Sequence, residues 1–81
     1  MKTQLTFRGE TYLKQSNIVG TVTVGELYEK FDLVEFFNVT SARYDFVEIP
    51  LETQMEKTKG GVYYFDCFDG LFLVFEEEVV E

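Results

Sequence analysis

The chain opens with Leu5 and Phe7 alternating with Gln4, Thr6 and Arg8, the two-residue period of a strand buried on one side. Gly9 lies two residues past Phe7, where a glycine suits a tight reversal, so residues 3–13 read as a short hairpin turning at Arg8-Gly9. Gln15-Ser16-Asn17 reads as a loop, and Ile18 to Val22 as a further short strand weakened by Gly20. The period then changes. Val24, Leu27, Tyr28 and Phe31 recur at helical spacing and form one apolar stripe. Just ahead of that stripe, Thr23-Val24-Gly25-Glu26 is a capping box: the Thr23 hydroxyl accepts from the Glu26 amide while the Glu26 carboxylate reaches back to the Thr23 amide. Glu26 and Glu29 also stand toward the positive end of the helix dipole. These features predict a helix from Val24 to Phe31. Leu33 to Phe37 fits either an extension of that helix or the start of a strand.

The second half reads as β. Tyr44 and Phe46 alternate with Asp45 and Val47 up to Pro50, which ends ladder pairing or marks an edge. Thr58-Lys59-Gly60-Gly61 is a turn, Val62 to Phe68 a strand, Asp69-Gly70 a turn and Leu71 to Glu77 a returning strand. Asp-Gly between two such runs is a strong hairpin signal. The expected fold class is therefore α+β: a small antiparallel sheet of about four to six strands with one short helix packed on one face. Its length makes it a single domain over 1–81.

Leu71-Phe72-Leu73-Val74-Phe75 does not alternate, so that strand is apolar on both sides and needs cover on both. One helix covers one side. The segment 32–42, a second copy of the chain in a homodimer, or a partner protein would cover the other.

Composition supports a packed core in a short chain. Nine Phe and five Tyr each remove about 150–250 Å² from water when buried, which offsets the poor surface-to-volume ratio of so small a domain. A single cysteine, Cys67, allows no intramolecular disulfide. With no basic, apolar leader and no membrane-length apolar run, the expected location is cytoplasmic, away from membranes.

Charge is distributed unevenly. Residues 1–40 carry five acids against four cations, a net −1; residues 41–81 carry ten acids against three cations, a net −7. Such a field repels nucleic acid and attracts basic surfaces. Direct nucleic-acid binding through strand aromatics is not expected, because stacking platforms need cations beside them.

Catalytic chemistry finds little support. There is no histidine, which removes the commonest general base and metal ligand. Cys67 would lack a histidine partner as a nucleophile, and reads as a small buried hydrophobe. Asp66 with Asp69, and Asp45 with Glu48, are the paired carboxylates on offer. The hairpin turn accounts for Asp69, and an outward strand position accounts for Asp66. No calcium loop or phosphate-binding glycine loop is present. The expectation is a protein that is not an enzyme and uses no cofactor or metal.

The run Leu5-Thr6-Phe7-Arg8-Gly9-Glu10-Thr11-Tyr12 is similar to the opening of short cyanobacterial proteins of uncharacterised function that carry L-x-Y-R-G-x-x-Y, with Phe7 in place of the first Tyr. The resemblance spans about a tenth of the chain and implies no activity.

Three functional expectations follow, the third being a structural, homo-oligomeric component whose sheets pair. In the first, the protein is an acidic inhibitor that occupies a basic, nucleic-acid-binding surface of a target protein, as virus-encoded anti-CRISPR and anti-restriction proteins do. Asp45, Glu48, Glu52, Glu56, Asp66, Glu76, Glu77 and Glu78 are its candidate contacts, although Glu76 to Glu78 also serve to keep an apolar strand from aggregating. In the second, it is a regulatory or assembly adaptor that binds a partner through an aromatic sheet face, where Phe36, Phe37, Phe72 and Val74 matter more than the acids. The charge asymmetry favours the first.

Overall fold

A computed structural model describes residues 2–15, 17–44, 49–68 and 70–80 of the chain. Five strands and two helices follow in the order β1 (Lys2–Thr11), β2 (Ile18–Thr23), α1 (Val24–Lys30), α2 (Val34–Tyr44), β3 (Gln54–Thr58), β4 (Val62–Phe68) and β5 (Leu71–Val80). The strands form one antiparallel sheet in the order β1-β5-β4-β3-β2, so the first two strands of the chain lie at opposite edges.

Several local signals act as expected. Thr23 caps α1 with its side-chain oxygen 3.1 Å from the Glu26 amide, while the Glu26 carboxylate accepts from the Thr23 hydroxyl at 3.3 Å and not from the expected Thr23 amide. Val62–Phe68 pairs with the strand beginning at Leu71, which extends three residues beyond Glu77. Between them, Asp69 lies outside the described residues.

Three expectations are corrected. The segment 3–13 does not reverse at Arg8-Gly9. β1 runs straight through, pairing with β5 from Lys2 to Thr11, and slips register between Phe7 and Gly9. Arg8 is the extra residue of a β-bulge, and Gly9, at φ 124°, takes a backbone conformation that a side chain would strain. Leu33 to Phe37 neither extends α1 nor starts a strand. Phe31 ends α1 in an extended conformation, and an Asp32 side-chain oxygen accepts from the Val34 amide at the start of a second helix. Tyr44 is the last residue of that helix rather than the start of a strand; the remainder of the expected strand, Asp45 to Glu48, lies outside the described residues.

The core lies on the side of the sheet that carries Leu73 and Phe75 of β5. Phe36 of α2 is completely enclosed there, its ring 5.0 Å from Phe75 and 5.6 Å from Phe65 between centroids. Leu5, Val24, Leu27, Leu33 and Met55 belong to the same cluster. Thr40, buried in α2, satisfies its hydroxyl by donating to the Phe36 carbonyl 2.9 Å away.

On the other side lie residues 12–15, which follow β1 at one edge of the sheet and lead toward β2 at the other. The Gln15 amide donates to the Tyr64 hydroxyl at 3.1 Å. Lys14 lies over the Phe72 ring, 4.8 Å from its centroid. Phe72 and Val74 are consequently half-buried. The 32–42 segment, one of the three candidates for covering this side, instead sends Phe36 into the core opposite.

The two sheet edges differ. Beside β1, Asp32 donates its amide to the Thr3 carbonyl at 3.0 Å and its carbonyl accepts from Leu5. The Glu35 carboxylate accepts from the Phe7 amide. No described residue makes such contacts along the outer edge of β2.

Candidate binding surface

The acidic residues divide into those the chain neutralises itself and those it leaves open. On β5, Glu76 and Glu78 project to the same side because they are two residues apart. The bulge at Arg8 aims its guanidinium at both: Nε lies 3.0 Å from Glu76 and the NH2 group 3.0 Å from Glu78. Those two carboxylates hold the Arg8 pKa above its usual value. Glu56 of β3 meets Lys14 at 2.6 Å. Glu77 points to the opposite side of the sheet and accepts from the Tyr63 hydroxyl at 2.9 Å. Burial of Tyr63, followed by that bond, pushes the phenol up to about 12.

Four of the eight acidic candidates, Glu56, Glu76, Glu77 and Glu78, thus have partners within the chain. Glu52 and Asp66 are exposed and make no ion pair among the described residues. Asp45 and Glu48 lie outside the described residues. Of the apolar candidates, Phe36 is sealed in the core and offers nothing to a partner in the folded protein. Phe37 is half-buried, its ring 6.3 Å from that of Tyr28. Phe72 is half-buried beneath Lys14. Cys67 falls in β4, where the register slips between Asp66 and Phe68.

A second group of acids gathers around α1. Val24 and Leu27 face the core, which turns Glu26, Tyr28, Glu29 and Lys30 outward. The Leu51 carbonyl accepts from the Gly25 amide at 2.9 Å and brings Glu52 alongside. Glycine permits this approach: a Cβ at residue 25 would stand 3.3 Å from the Leu51 oxygen. The resulting surface carries Glu26, Glu29 and Glu52 around two exposed apolar side chains, Tyr28 at 62% and Leu51 at 55%. Lys30 offsets one of the three charges.

No family model, curated protein or solved structure matches the chain. Function is therefore read from the chain's own chemistry.

Reading the sequence alone placed Glu26 and Glu29 at the helix terminus for helix stability and Tyr28 in the apolar stripe. The signal that Tyr28 faces out was the width of the stripe. Val24 and Leu27 already fill the narrow inner arc of a seven-residue helix. Nothing in the sequence places Leu51 and Glu52 beside Gly25, since that contact depends on how β3 enters the sheet. Among the described residues, no group of three or more His, Cys, Asp or Glu side chains is placed to hold a metal ion. None of the described helices is long and apolar enough to cross a membrane.

Proposed function

We propose that this protein is a small acidic binding protein that docks on a basic surface of another protein through the outward side of α1 and the adjoining Leu51-Glu52 turn. One observation carries the reading: Arg8 and Lys14 neutralise acids of the sheet, while Glu29 and Glu52 at α1 have no counter-ion among the described residues. Tyr28 and Leu51 supply apolar anchors inside this acidic rim, the arrangement that concentrates binding energy at protein interfaces. A basic surface that normally holds nucleic acid suits such a rim, because carboxylates can take the place of phosphates before lysine and arginine. Occupying that surface makes the protein an inhibitor of its target. The adaptor reading has less support, since Phe36 is enclosed and Phe72 lies under Lys14.

The test is affinity capture from nuclease-treated lysate, washed at rising salt, with the wild type compared against Glu29→Lys/Glu52→Lys. Ionic contacts weaken with salt. The expected result is a partner that elutes as salt rises, is not held by the double variant, and loses its own nucleic-acid binding when the wild-type protein is added. A partner held through molar salt and equally well by the variant overturns the proposal.

A further inference from the structure

The two edges of the sheet are occupied to different extents. At β1, Asp32 and Glu35 bond three outward backbone groups, the Thr3 carbonyl and the Leu5 and Phe7 amides. At β2, Ile18–Thr23, no described residue bonds the outer edge. Half the backbone donors and acceptors of an edge strand point away from its one neighbour.

The sequence of β2 adds a second observation. Ile-Val-Gly-Thr-Val-Thr carries no charge, whereas each of the other four strands carries at least one charged side chain. Edge strands are usually protected by lysine, proline or inward charge, and β2 has none of these. Val19 is 51% exposed, and Gly20 and Thr21 beside it are exposed as well. In a chain of net charge −8, an uncharged edge is where two copies approach with least repulsion.

We propose that β2 pairs antiparallel with β2 of a second copy, joining the two sheets across a twofold axis. The occupant follows from charge and closure together. A second copy brings another uncharged β2, so neither strand places a charge opposite a charge. Because Asp32 and Glu35 obstruct β1 over residues 3–7, β2 is the freer edge of each copy, and pairing across a twofold axis uses it up. The assembly therefore closes at two instead of growing into a fibre. The bulge between Ile18 and Gly20 limits the pairing to a short run around Thr21, which keeps the dimer weak and concentration-dependent.

Sedimentation equilibrium across a concentration series, at low and at high salt, tests this with the wild type and with Thr21→Asp. Thr21 is exposed, so the variant keeps its fold, verified by circular dichroism, yet places like charges near the twofold axis. The expected result is a monomer–dimer equilibrium that tightens with salt, because salt screens repulsion between two acidic copies, and a dimer weakened at least tenfold in Thr21→Asp. Amide hydrogen exchange should slow in β2 as concentration rises. A wild type that stays monomeric at millimolar concentration in high salt overturns the proposal, as does a dimer untouched by Thr21→Asp. Binding of a foreign extended peptide at β2 by a strictly monomeric protein also overturns it. The salt response is opposite to that expected for the α1 surface, so either proposal can fail alone.

Discussion

Lys14 places its ammonium 2.6 Å from the Glu56 carboxylate while lying 4.8 Å from the centroid of the Phe72 ring. One side chain thus ties the segment after β1 to β3 and shields an aromatic ring of β5. The ion pair is about one-third exposed on each partner, which limits its value to about 0.2–1 kcal/mol. The contact with the ring contributes about 0.5–1 kcal/mol more at such a site.

Lys14→Ala is accordingly expected to destabilise the protein by about 1 kcal/mol in urea unfolding. Phe72 should become more accessible, and Lys14→Arg should recover most of the loss. Equal stability of Lys14→Ala and the wild type would mean that the segment is held without Lys14, by bonds such as Gln15–Tyr64 and Lys59–Asn17.

Phe36→Ala is expected to cost about 3–5 kcal/mol, the range for removing an enclosed aromatic ring. Small domains have little stability to spare, so the variant should be largely unfolded in a guanidinium titration. Any loss of partner binding in it should scale with the unfolded fraction. A folded Phe36→Ala protein with impaired binding would return Phe36 to the binding surface.

Thr23→Ala removes the hydroxyl that accepts from the Glu26 amide at 3.1 Å. Loss of such a cap costs about 1 kcal/mol. Thr23→Ser keeps the acceptor and should restore nearly all of it. Thermal unfolding of the three proteins side by side checks the ranking, and a Ser variant no better than Ala would show that the methyl group matters more than the cap.

These variants track what was legible in the chain. The capping box and the Val62–Phe68 strand were readable because each is specified within a few residues. Gly9 was misread because a glycine looks the same in a turn and in a bulge. Only pairing with β5, more than sixty residues away, distinguishes them. The second helix was ambiguous for a similar reason. Its start is set by the Asp32 side chain and by the seating of Phe36 against Phe65 and Phe75. The acids were legible as a count, but their pairing was not: Arg8 meets Glu76 and Glu78 from 68 and 70 positions away. Among the described acids without an ion pair, Glu29 stands on α1 and Glu52 beside it, while Asp66 stands apart on β4.

Tyr63 gives the protein an alkaline limit. Its hydroxyl donates to Glu77 at 2.9 Å, and burial, reinforced by that bond, raises its pKa from 10.0 to about 12. A folded-state value above the unfolded one means that the unfolded chain gives up this proton first. The stabilisation is then complete below about pH 10 and drains away as pH rises toward about 12. Tyr63→Phe has no proton to lose at this site, so its stability should start lower and fall less steeply. Urea midpoints measured from neutral pH to about pH 12 would show the difference between the two proteins narrowing above about pH 10. Lysines and the other tyrosines titrate in both proteins and cancel in the difference. A gap that stays constant across that range would mean that Tyr63 titrates alike in the folded and unfolded chains, and that the Glu77 bond does not hold its proton.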